Sequence, residues 1–118
     1  MTRRHPALVA SVVLLLTAQG AYAGDSEIAM GRERAIEYCS GCHQVTRQQR
    51  RPEPVPYPEE NALVVTPSFA AISVKYEGND KGLRAFIKAP KHPMKEQEFL
   101  DSDLGAIVAY IHSVQKSW

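Results

Sequence analysis

The sequence predicts an all-α fold, on three observations. Apolar residues recur at spacings of three and four in four separate segments, the period of one helix face. Residues able to cap a helix stand just ahead of those segments: Asp25 or Ser26, Thr66, Asn79 or Asp80, and Asp101 or Ser102. No stretch alternates apolar and polar residues in the manner of a strand, and no internal repeat is present.

The chain opens with Arg3 and Arg4, continues into the apolar run Ala7–Leu16, turns polar and reaches Ala21-Tyr22-Ala23. A basic start, a short apolar stretch and a small-x-small end are the parts of a secretory signal. The apolar run is ten residues long, against about 20 for a membrane span, so an uncleaved anchor is disfavoured. Residues 1–23 are therefore expected to be a cleaved signal peptide. Residues 24–118 are expected to be one domain, exported to the periplasm, with no membrane span after cleavage.

In the full sequence of 118 residues, 14 Lys and Arg face 13 Asp and Glu. Loss of Arg3 and Arg4 would turn the net charge from +1 to −1. That balance lacks the basic footprint of a nucleic-acid-binding domain. The length excludes a two-domain enzyme built around an interdomain cleft, and two cysteines exclude a disulfide-stapled scaffold. So small a domain has a meagre core of its own, and something has to supplement it.

The first helix reaches from Asp25 or Ser26 towards Cys39, with Ile28, Gly31, Ala35 and Tyr38 or Cys39 on one face. Residues 45–66 break the pattern. Pro52, Pro54, Pro56 and Pro58 alternate there with Glu53 and other residues, forbidding a helix and favouring extended backbone. This segment is predicted to be a proline-rich surface loop. Thr66 and Pro67 read as N-cap and first position of a second helix, with Phe69, Ile72 and Tyr76 inward and Gly78 at its end. A third helix opens at Asn79 or Asp80, buries Leu83, Phe86 and Ile87, and stops at Pro90. The last starts near Asp101 or Ser102 and buries Leu104, Ile107, Val108, Ile111 and Val114.

The chemistry sits in Cys39-Ser40-Gly41-Cys42-His43. Cys-x-x-Cys-His is the attachment sequence of c-type haem. Two thiols at that spacing add to the two vinyl groups of one haem edge, and the adjacent histidine is held under the iron as proximal ligand. A redox-active disulfide would normally follow a strand in a βαβ unit, whereas this motif ends a helix. Zinc wants about four ligands, and His43, His92 and His112 are the histidines available outside the signal. One covalent haem c per chain is the favoured cofactor, and its macrocycle would supply the missing core surface.

For the sixth ligand the candidates are Met94, in a loop after Pro93, and His92 beside it, with His112 more remote. Met30 lies in the first helix and reads as a core or surface residue. With Pro93 between them, only one of His92 and Met94 can point at an iron. Met94 is taken as the distal ligand, and His92 as a surface or propionate-contacting residue.

These pieces, in this order, resemble the small class I monohaem cytochromes c of the bacterial periplasm. The resemblance rests on the helix ending Ala35-Ile36-Glu37-Tyr38-Cys39, the Cys-Ser-Gly-Cys-His motif, Thr66-Pro67-Ser68-Phe69, His92-Pro93-Met94 and Leu104–Ile111. It implies a small cytochrome c fold, about four helices around one covalent haem, with the first and last helices crossing. Gly31 would sit at that crossing against Ile107, Val108 and Tyr110 or Ile111. It also implies that the Pro67 carbonyl receives the Nδ1 proton of His43, although Thr66 stands where the family often has glycine.

His/Met ligation would leave the iron no open position, so a one-electron carrier between periplasmic redox proteins is the leading expectation, not an enzyme. A gas-binding or sensor haem protein with a displaceable Met94, and a dedicated cytochrome subunit of one periplasmic dehydrogenase, are the alternatives. Asp101 and Asp103 read as helix-start residues, not as an acid/base pair. Lys75, Lys81, Arg84, Lys88, Lys91 and Lys95 form a basic segment that either steers an acidic partner or is simply a solvated face.

Overall fold

The computed structural model describes residues 19–115 and residue 118. Four helices carry the fold: α1 (Gln19–Tyr38), α2 (Phe69–Lys75), α3 (Asp80–Lys88) and α4 (Asp101–Val114). Between α1 and α2 lie two short strands, β1 (Val55–Tyr57) and β2 (Ala62–Val64), joined by a single 3₁₀ turn, Pro58–Glu60. The signal-peptide expectation concerns residues 1–23. Of these, 1–18 lie outside the described residues, and 19–23 form the start of α1. The helix thus begins upstream of Asp25 and Ser26, because nothing in Gln19–Gly24 interrupts a helical backbone and neither residue acts as its cap.

α1 and α4 cross against each other, and α2 and α3 pack on α4. α4 is the centre of the core: Leu104, Ala106, Ile107, Val108, Tyr110, Ile111 and Val114 are all buried. Ala35 from α1, Phe69 from α2, and Leu83 and Ile87 from α3 close around it. The crossing is tight at Gly31. A Cβ there would stand 1.9 Å from the Ala106 carbonyl oxygen and 2.9 Å from the Tyr110 Cβ. Tyr110 was among the partners the sequence suggested; the closest approach, however, is to the Ala106 backbone, which no apolar stripe reveals. Tyr110 also donates its hydroxyl to the Val45 carbonyl at 2.6 Å, tying α4 to the chain just past α1. At the rim of the crossing Arg34 meets Asp103 at 3.2 Å and Glu37 at 3.1 Å.

Several sequence expectations need correction. The proline-rich segment is not all loop: Val55 pairs with Val64, Pro56 with Leu63 and Tyr57 with Ala62 in an antiparallel hairpin. Alternate prolines extend the backbone, and a two-stranded ribbon has only edge strands, where proline is tolerated. Asn61 closes the turn in the left-handed region (φ 48°), its N–H reaching the Pro58 carbonyl at 3.2 Å. Nor is all of 45–66 surface, since Val45 is fully buried in the core. Finally, α2 is capped by Ser68, whose hydroxyl accepts from the Ala71 N–H at 3.2 Å, and not by Thr66. Thr66 and Pro67 are engaged elsewhere. α3 starts at its expected cap, the Asn79 side chain accepting from the Gly82 N–H at 3.0 Å; α4 starts at Asp101, but neither Asp101 nor Ser102 caps it, since the N-cap position is Leu100, which makes no side-chain cap bond.

Candidate haem site

The site begins where α1 unwinds. The Cys39 N–H still bonds the Ala35 carbonyl at 2.9 Å, and the chain then turns so that Cys42 and His43 both donate to the Cys39 carbonyl, at 3.2 and 2.9 Å. The Ser40 hydroxyl donates to the Ile36 carbonyl and finishes the helix end. This turn brings both cysteines and His43 to one tip of α1. Cys39 is half-buried and Cys42 exposed, and the two thiols are not bonded to one another. Burial, and then the neighbouring Cys42, push the Cys39 thiol up to about 11. That is opposite to the depressed thiol a disulfide oxidoreductase needs for nucleophilic attack.

A second segment is laced onto the first. The Thr66 hydroxyl donates to the Cys42 carbonyl, His43 Nδ1 lies 2.7 Å from the Pro67 carbonyl, and the Phe69 N–H donates to the Gln44 carbonyl at 2.9 Å. The His43 ring rests against Phe69, centroids 6.0 Å apart. A carbonyl oxygen only accepts, so the proton of His43 sits on Nδ1, and Nε2 carries the lone pair a metal requires. The bond to Pro67 also fixes the ring plane.

Gln49 holds the turn from the other side. Its side-chain amide donates to the Ser40 carbonyl at 2.8 Å and the His43 carbonyl at 3.0 Å, and its Oε1 accepts from the Val45 N–H at 2.9 Å. Sequence reasoning missed this residue. It lies in the polar run Thr46–Arg51, where nothing distinguishes one glutamine from its neighbour Gln48.

The remaining candidates fall on other segments. Met94 is half-buried in the loop between α3 and α4, its N–H 3.2 Å from the Lys91 carbonyl. His92 is exposed and stacks on Tyr57, centroids 5.4 Å apart. His112 Nε2 lies 2.8 Å from Asp80 Oδ1, away from the Cys39–His43 turn in sequence. Among the described residues, no group of three or more His, Cys, Asp or Glu side chains is placed to hold a metal ion. Among them, too, no helix is long and apolar enough to cross a membrane. Two unbonded thiols at the tip of a helix, beside an imidazole with its lone pair on Nε2, fit covalent haem.

An all-α fold with crossing terminal helices and a Cys-x-x-Cys-His turn at the tip of the first has the features expected of a c-type haem protein. The family model for cytochrome c matches residues 28–115, and the chain belongs to that family. No curated protein and no solved structure matches it significantly. Family membership makes it a haem-binding electron-transfer protein.

Proposed function

We propose that the chain is a periplasmic one-electron carrier whose haem c is attached through Cys39 and Cys42, with His43 as proximal and Met94 as distal ligand. The observation that carries this reading is the hydrogen bond between His43 Nδ1 and the Pro67 carbonyl, which orients an imidazole as a metal ligand and has no use in a disulfide enzyme. When bound, the haem supplies a one-electron iron couple. The chain's own residues do the rest. His43 and Met94 offer one nitrogen and one thioether donor, a set that favours the reduced state relative to two histidines. Phe69, buried and packed against the His43 ring, excludes water on that side, and a drier site raises the cost of the extra charge on oxidised iron.

Lys91 and Lys95 are exposed on either side of Met94, whereas Lys88 is partnered by Asp101 at 3.4 Å. A basic rim at that loop suits acidic redox partners and would make association salt-dependent. The signal-like first 23 residues support export.

The test is the spectrum of the holoprotein purified from the periplasm. The carrier reading expects a weak far-red band in the oxidised form, lost in Met94→Ala, together with no carbon monoxide binding by the reduced wild type. Ready carbon monoxide binding without that band would overturn it in favour of a gas-binding haem protein. An N-terminus at Gly24 in the purified protein would support cleavage after Ala23, and an intact Met1 would reject it.

A further inference from the structure

The hairpin touches both segments that the proposed function makes ligand-bearing. β2 ends at Val64, and Val65 leads from it into Thr66 and Pro67, the pair laced to Cys42 and His43. β1 carries Tyr57, whose ring stacks on His92 with planes 26° apart. His92 lies inside the short turn that the Lys91 carbonyl and the Met94 N–H close. We propose that Tyr57 is a positioning residue for Met94: the hairpin is a clip, anchored at Pro67, that holds the Met94 loop down through the Tyr57–His92 stack. The inference rests on the reading of Met94 as distal ligand.

The hairpin has the shape for this. Val55, Tyr57 and Val64, on one face of the ladder, are half-buried, while the Pro56–Leu63 pair on the other is exposed, so the hairpin turns one face to the body of the protein. The loop it touches has little structure of its own. Among the described residues, the bond from Met94 to Lys91 is the only backbone hydrogen bond internal to residues 90–99. A segment so thinly bonded depends on side-chain contacts for its position, and its open form is correspondingly accessible. A stacked pair of rings biases it towards the closed form. The proline pattern that excluded a helix thus has a use: it stiffens the arm that carries Tyr57.

Exogenous imidazole binds the ferric holoprotein only in the state in which Met94 has left, so its apparent affinity reports the open population. Titration of Tyr57→Ala with imidazole is expected to show affinity raised roughly three- to tenfold, the range one aromatic pair contributes. Tyr57→Phe keeps the ring and should match the wild type. His92→Ala should match Tyr57→Ala, and the double variant should add nothing further. Unchanged imidazole affinity in Tyr57→Ala, with the far-red band present in the wild type, would overturn the clip. If the wild type lacks that band, the reading of Met94 fails on its own. Hydrogen exchange of residues 91–95 in the holoprotein then decides the clip: faster exchange in Tyr57→Ala supports it, and equal exchange overturns it.

Discussion

Replacing Gly31 with alanine tests the helix crossing that frames the whole molecule. The added methyl would sit 1.9 Å from the Ala106 carbonyl oxygen, where ordinary contact begins at 3.4 Å, so α1 and α4 must part there by about 1.5 Å. The obstacle is backbone, and no rotamer change relieves it. A gap of 0.5–1 Å already forfeits a quarter to a half of each dispersion contact, and the contacts at stake join Ala35 to the buried face of α4. Overpacking of this kind costs about 1–3 kcal/mol, and the backbone clash puts Gly31 at the upper end. Better helix propensity of alanine returns roughly 0.5–1 kcal/mol, leaving a net loss of about 2 kcal/mol. With an m-value of about 3 kcal/mol per molar guanidinium, the unfolding midpoint of the holoprotein should fall by roughly 0.7 M. Gly105→Ala is the matched control. A Cβ there meets nothing nearer than the Arg84 guanidinium at 3.5 Å, so the same substitution should stabilise by about 0.5–1 kcal/mol. A Gly31→Ala protein within 0.5 kcal/mol of wild type would refute the crossing distance and the reasoning built on it.

Three other perturbations have definite outcomes. Gln49→Ala removes three hydrogen bonds to the motif turn and should lower stability by about 2–3 kcal/mol in denaturant titrations; a loss under 1 kcal/mol would mean that water replaces the amide. The Tyr110 phenol is raised by burial, against the pull of Arg32, so its contribution is fully present below its unfolded value of about 10 and is lost as pH rises through the folded one. Tyr110→Phe should therefore cost about 1 kcal/mol at neutral pH and flatten the fall in stability above about pH 10; an unchanged alkaline slope would exclude Tyr110 as its source. Lys91→Glu combined with Lys95→Glu should slow electron transfer to an acidic partner at low ionic strength and bring the rate closer to its high-salt value, read by stopped-flow absorbance. An unaltered salt dependence would assign the basic segment to solvation alone.

What the sequence disclosed follows from the range over which each signal acts. α3 and α4 were readable because their apolar stripes are local and continuous, and because Asn79 and Asp101 mark their starts. The Cys39–His43 motif was readable because its chemistry is fixed by spacing within five residues. The hairpin was not, since three residues per strand are too few to show alternation and the prolines argue only for extension. Ser68 lost the cap to Thr66 on paper for a tertiary reason: the Thr66 hydroxyl and the Pro67 carbonyl are drawn to Cys42 and His43, partners 24 positions away. Gln49 and the Ala106 carbonyl were invisible for a similar reason. One acts through an amide folded back on its own turn, and the other through a backbone atom that every residue possesses.

The crossing of α1 and α4 also dictates the order in which this chain can fold. Gly31 has no partner until Ala106 exists, and 75 positions separate them in the sequence. Closing so long a loop is slow relative to forming either helix alone. While the chain is being made, α1 and the Cys39–His43 turn at its tip therefore face solvent without the helix that later secures them. Removal of the last helix would strip the first of its packing surface, so shortening the chain from the C-terminal end should abolish the fold as a whole and not trim it progressively.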